Sequence, residues 1–106
     1  MTGEPGPPIE VTDNVAGRRY ELRVDGTLVG LLDYEERSPV RVLAHAEVDP
    51  AHRGAGLATT LLEGVFADVD ARDLTIVPLC PFVVDYVEKH PETVRYIDEE
   101  HRSRFR

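Results

Sequence analysis

The sequence predicts an α/β fold: a mixed, mostly antiparallel sheet with one parallel strand pair and flanking helices. Three observations carry that expectation. Residues 9–48 hold short runs of alternating or β-rich composition separated by turn residues, which reads as strands pairing in succession. The pattern then switches to helical spacing, with Leu57, Leu61, Val65 and Val69 in one row and Ala58, Leu62 and Phe66 beside it. A β-rich run over 74–79 follows, and strand, helix, strand at this spacing makes a crossover between parallel strands.

Taken in order, residues 1–8 (MTGEPGPP) are Gly/Pro-rich with little to bury and are expected to be disordered. Residues 9–14 alternate enough for a short edge strand. Residues 19–24 alternate more clearly, with Tyr20, Leu22 and Val24 on one face. Asp25-Gly26 is a hairpin turn signal, so the mostly apolar run 27–34 returns beside it as a central strand. A charged loop over 35–39 leads to a third long strand, 40–48. The helix is expected over about 56–70 and the parallel strand over 74–79. Pro81 stands where a first helical residue would, and a second helix ends before Pro91. The domain is thus expected to cover 9–92, leaving 93–106 as a tail with a helical turn and a loose end.

At 106 residues the chain has room for one core. Its 42% hydrophobic and 30% charged residues are those of a globular chain, and no apolar run approaches a membrane span. With no signal pattern at the start, a cytoplasmic location without a membrane partner is expected. The lone Cys80 cannot form an internal disulfide, and no Cys/His cluster has zinc spacing, so no metal is expected. The formal charge of −8 argues against nucleic acid and suits a cationic acceptor such as an amine.

The stretch AEVDPAHRGAGLATTLL, residues 46–62, organises the chain. Pro50 favours a strand exit, and Gly54 and Gly56 allow a sharp turn and a close backbone approach to a ligand. Helix starts usually draw Asp or Glu, yet the first carboxylate here is Glu63. An acid-free start behind Arg53 reads as a place for an external anion, most plausibly a phosphate. The run from Val48 to Ala58, with Arg53, Gly56 and Ala58 in the key places, resembles the acyl-CoA signature of the GNAT acetyltransferases. A second run, PLCPFVVDYVEKHP over 78–91, resembles a compact single-domain branch of that superfamily. The chain lacks the N-terminal helical pair of larger GNAT domains, an N-terminally reduced form.

The resemblance implies an acetyl-CoA-dependent N-acetyltransferase acting on an amine of unread identity, a small molecule or a protein amine. It places the pantetheine arm of CoA against the Glu47 and Val48 main chain. The pyrophosphate then lies on the N–H groups of Gly54, Ala55, Gly56, Leu57 and Ala58, with Arg53 beside it. Cys80 falls at the start of the second helix, where free N–H groups favour a thiolate; it lines the acetyl pocket or carries the acetyl group, or else is a small buried apolar residue. Tyr86 suits protonation of the departing sulfur, although it comes one residue before the usual register, about 100° round an ideal helix, and core packing competes. His45 and Glu47 share one strand face, and either could take the acceptor's proton. An alternative is an acyl-CoA-binding or sensing module with little or no transfer activity.

Overall fold

A computed structural model describes residues 8–52 and 56–105. Five strands form one sheet in sequence order: β1 (Ile9–Asn14), β2 (Arg19–Val24), β3 (Thr27–Arg37), β4 (Val40–Val48) and β5 (Thr75–Pro78). Pairing is antiparallel from β1 to β4 and parallel between β4 and β5. Asp25 and Gly26 both take positive φ, as a tight hairpin requires. The disorder expected over 1–8 lies outside the described residues except at Pro8, whose carbonyl accepts the Asp25 N–H at 2.8 Å.

The helix α1 (Leu57–Ala71) buries Leu57, Leu61, Leu62, Val65, Phe66 and Val69, the two rows that the spacing marks except for half-buried Ala58. It lies across the face of the sheet that carries Tyr20, Leu22, Leu32 and Leu43. Gly64 lets it approach β1: a Cβ there would sit 2.6 Å from that of Val11. The second helix, α2 (Pro81–Lys89), packs on the same side, with Phe66 stacked on Tyr86 at 5.6 Å. No helix among the described residues is long and apolar enough to cross a membrane.

Two segments differ from expectation. Residues 35–37, read as loop, extend β3, because Glu35, Glu36 and Arg37 pair with Val42, Arg41 and Val40. The chain after Pro91, read as ending loosely, returns to the sheet. Ile97 is fully buried and bridges Ile76, and the Asp98 N–H donates to the Ile76 carbonyl at 2.8 Å. A short helix, α3 (Glu99–Arg102), follows.

A buried polar cluster ties these layers together. Arg41, on the helix side of β4, donates to Asp13 of β1 at 2.8 Å, to the Tyr20 hydroxyl of β2 at 2.7 Å and to Glu36 of β3 at 2.7 Å. The Tyr34 hydroxyl donates to the other Asp13 oxygen, and Tyr20 donates to Asp68 of α1. Burial opposes the Arg41 charge, but its bonds to Asp13, Tyr20 and Glu36 hold its pKa above the ordinary value. Burial, with the Asp13 bond, pushes the Tyr34 hydroxyl up to about 12.

Candidate active site

The parallel rungs between β4 and β5 run from Val40↔Thr75 to Leu43↔Pro78 and then stop. The Leu43 carbonyl closes the ladder by accepting the N–H groups of Leu79 and Cys80, at 3.0 and 3.2 Å. At the same point the register with β3 steps from Tyr34↔Leu43 to Asp33↔His45, leaving Ala44 as an extra residue. Such a bulge bends a strand and ends pairing. Beyond it, residues 45–48 are paired to β3 alone.

Main-chain groups of successive strand residues point to opposite sides. The Asp49 N–H donates to Val29 on β3 at 2.7 Å, and the Glu47 carbonyl also faces β3, 3.3 Å from where a Cβ at Gly30 would stand. Ala46 and Val48 therefore turn their N–H and C=O groups into the gap. The gap opens into a cleft of about 610 Å³ bounded by residues 45–48 and Pro50 of the β4 end, Ala58 of α1 and Phe82 of α2.

Both helices present their N-termini to this cleft. Gly56 caps α1 in the left-handed conformation, φ 74° and ψ 8°, and Cys80 caps α2 ahead of Pro81. Neither cap residue supplies a side-chain bond, and neither first turn contains an acid. The first N–H groups of a helix have no partner within it, so this corner favours an anion. A slot edged by an open strand, with helix N-termini at its mouth, suits an extended ligand with an anionic end.

The model of the GCN5-related N-acetyl-transferase family matches residues 19–97, most of the chain. The chain belongs to this family. Its enzyme class is accordingly that of an N-acetyltransferase, and acetyltransferases of this kind draw generally on acetyl-CoA. It is 32% identical over 91 residues to Protein NATD1 of Gallus gallus and of Mus musculus, covering 83% of this chain and 82% of theirs. Among solved structures it resembles a ribosomal-protein-alanine N-acetyltransferase from Brucella melitensis biovar Abortus 2308. Identity is 27% and the TM-score 0.53, and the match covers 70% of this chain and 57% of that one. A GCN5-like putative N-acetyltransferase from Staphylococcus aureus shares the fold at 15% identity and TM-score 0.58, over 87% and 93% of the two chains.

Within this GCN5-related fold the residues singled out in the sequence fall into three groups. Val48, Ala58, His45 and Glu47 border the cleft. His45 Nε2 lies 3.5 Å from Glu47 Oε2, both side chains are exposed, and both project from the face away from α1. Of the two main chains expected at the gap, Val48 faces it. Glu47 turns to β3 because the strand alternates, and Ala46 takes its place. Arg53, Gly54 and Ala55 lie outside the described residues, while the Leu57 side chain is part of the core.

Cys80 and Tyr86 form the third group. Cys80 is buried in the core cluster at the end of β5. Its carbonyl accepts the N–H groups of Val83 and Val84, which fixes the start of α2. Tyr86 stands one turn beyond Phe82, stacked between Phe66 and His90, whose ring centroid is 4.0 Å away. The His90 Nδ1–H donates to the Tyr86 carbonyl at 2.9 Å, capping the helix end. Burial, then the charges of Glu63 and Glu92, raise the Tyr86 pKa, so the phenol keeps its proton. Sequence reasoning missed Ala46 and Phe82. The signal for Phe82 was its place directly after Pro81, in the first turn of a helix entering the site.

Proposed function

We propose that the cleft binds acetyl-CoA and that the protein transfers the acetyl group to a primary amine. The observation that carries this reading is the half-paired β4 edge over residues 45–48, set beside two acid-free helix starts. The Ala46 and Val48 main chains are placed to pair with the amide-bearing arm of CoA as an added strand would. The N–H groups of Gly56, Leu57 and Ala58, with Arg53, Gly54 and Ala55 before them, would hold the pyrophosphate.

Acetyl-CoA supplies an activated acyl group whose C–S bond breaks as the amide forms. The acceptor ammonium must first lose a proton, and His45 or Glu47, 3.5 Å apart at the strand edge, takes it directly or through water. Cys80 walls the acyl end. Tyr86 is the donor to the departing sulfur in this scheme, though its stack with Phe66 and His90 favours a second reading: a module that binds acyl-CoA and transfers little.

Calorimetric titration tests the binding step. CoA and dephospho-CoA should bind well and pantetheine much less well, and Arg53→Ala should weaken CoA and dephospho-CoA but not pantetheine. Equal affinity for pantetheine and CoA would remove the phosphate role from this turn. Thiol release from acetyl-CoA with an amine panel then separates the transferase from the binding module.

A further inference from the structure

On the face of the sheet away from α1, a groove of about 400 Å³ runs over the β4–β5 pair. Its floor is Val40, Val42 and Val77, with Val42 and Val77 opposite each other across the strands. Leu79, 57% exposed, closes one end. That residue also fixes where the groove lies, since its N–H makes one of the last bonds to Leu43 before the strands part. The groove therefore ends where the cleft at the strand break begins. Past Val42, the same face of β4 carries His45 and Glu47.

The rim is acidic. On one side Glu35 accepts two bonds from Arg37, at 2.9 and 2.7 Å. On the other, Asp98, Glu100 and His101 bring ligating atoms within 4.8 Å of one another. His101 Nδ1 lies 3.4 Å from Asp98, and Glu100 is exposed with no ion-pair partner among the described residues. Three carboxylates thus face one arginine that Glu35 already holds. The preferred charge reverses through the sheet: helix N-termini on the cleft side, carboxylates on the groove side.

We infer that this groove is the acceptor site and that it selects a small aliphatic diamine. One ammonium sits against Asp98 and Glu100, where converging acceptors match its three N–H donors. The methylene chain covers the valine floor, and the second amine reaches the break beside Leu79. This assignment rests on the acetyl-CoA reading of the cleft. In the transfer, the reacting ammonium gives one proton to His45 or Glu47. The C–N bond then forms as the C–S bond breaks, and the second proton lost from nitrogen ends on the departing thiolate.

The test uses the full chain with saturating acetyl-CoA and compares 1,6-diaminohexane with n-hexylamine and 6-aminohexanoate. The diamine should be the best substrate, by about tenfold in kcat/KM over hexylamine, and the carboxylate the worst. Asp98→Asn combined with Glu100→Gln should raise KM for the diamine about tenfold and leave kcat, the hexylamine KM and acetyl-CoA affinity unchanged. Equal use of diamine and hexylamine, no effect of the double variant, or acetylation of a peptide amine only would each overturn the groove and leave the cleft standing. Without any acyl donor, 1,6-diaminohexane should shift the NMR signals of Val42, Val77 and Leu79, and unmoved signals would overturn the groove. If acetyl-CoA fails to bind, the cleft reading falls, and that shift titration still decides the groove.

Discussion

The two halves of β4 are built on opposite plans. From Val40 to Leu43 the strand is paired on both sides and sends Arg41 into a buried cluster that reaches β1, β2, β3 and α1. Beyond Leu43 it is paired on one side only, and its exposed side chains accompany main-chain groups open to the cleft. An unpaired strand edge would close or find another strand unless something held its neighbours apart. The first half does that holding. It pins the register from which the Ala44 bulge follows, and the bulge keeps the second half open. Stability and site are adjacent segments of one strand.

The largest effect should come from breaking the first half. Arg41→Met leaves the Asp13 carboxylate, 4% exposed, without its strongest partner. Removing one member of such a pair costs about 3–5 kcal/mol, and urea unfolding measures it. Replacing Asp13 by Asn in the same chain should recover part of the loss, because the buried carboxylate, left with Arg72 at 3.4 Å as its ion-pair partner, is then gone. A loss below about 1 kcal/mol for Arg41→Met would mean that the cluster does not carry the register.

How much of this was legible in the sequence divides along the same line. The strands and α1 were, because a period of two and a period of 3.6 are properties of neighbouring residues. The start of α1 was, because Gly56 takes the positive φ that favours glycine and no acid stands in the first turn. The Arg41 cluster was not: its partners Asp13 and Asp68 lie 28 and 27 residues away. Glu36 and Arg37 read as a charged loop for a different reason: they pair with Arg41 and Val40 of β4, but their side chains show no apolar alternation. The choice of Ala46 over Glu47 at the gap was hidden too, since it depends on the register between β3 and β4.

Gly56→Ala probes the open half at smaller cost. Its φ of 74° strains any residue with a Cβ, by about 1–2 kcal/mol, but among the described residues beyond its chain neighbours that Cβ meets no atom within 4 Å, so the variant should fold. The methyl would then stand beside the N–H groups that we assign to the anion. Acetyl-CoA affinity should fall about tenfold, which is about 1.4 kcal/mol, in a protein that is otherwise intact. Unchanged affinity by calorimetry would take this turn out of the donor site and weaken the contrast between the halves.

The smallest effect is expected at Cys80, where the ladder ends. The side chain is 6% exposed and part of the core, while its main chain closes the rung to Leu43 and starts α2. Alanine keeps that main chain and removes only a small buried contact. Cys80→Ala should therefore cost about 1 kcal/mol or less and retain most of the turnover. Were the thiol to carry the acetyl group, the loss would instead span several orders of magnitude, as for other covalent nucleophiles. The wild-type chain would then gain the mass of one acetyl on exposure to acetyl-CoA without acceptor. Mass spectrometry before and after adding amine decides between the two. An acetylated Cys80 that discharges at the turnover rate would make the end of β5 a reacting group rather than a wall, and the division of β4 into a holding half and a working half would extend across both strands.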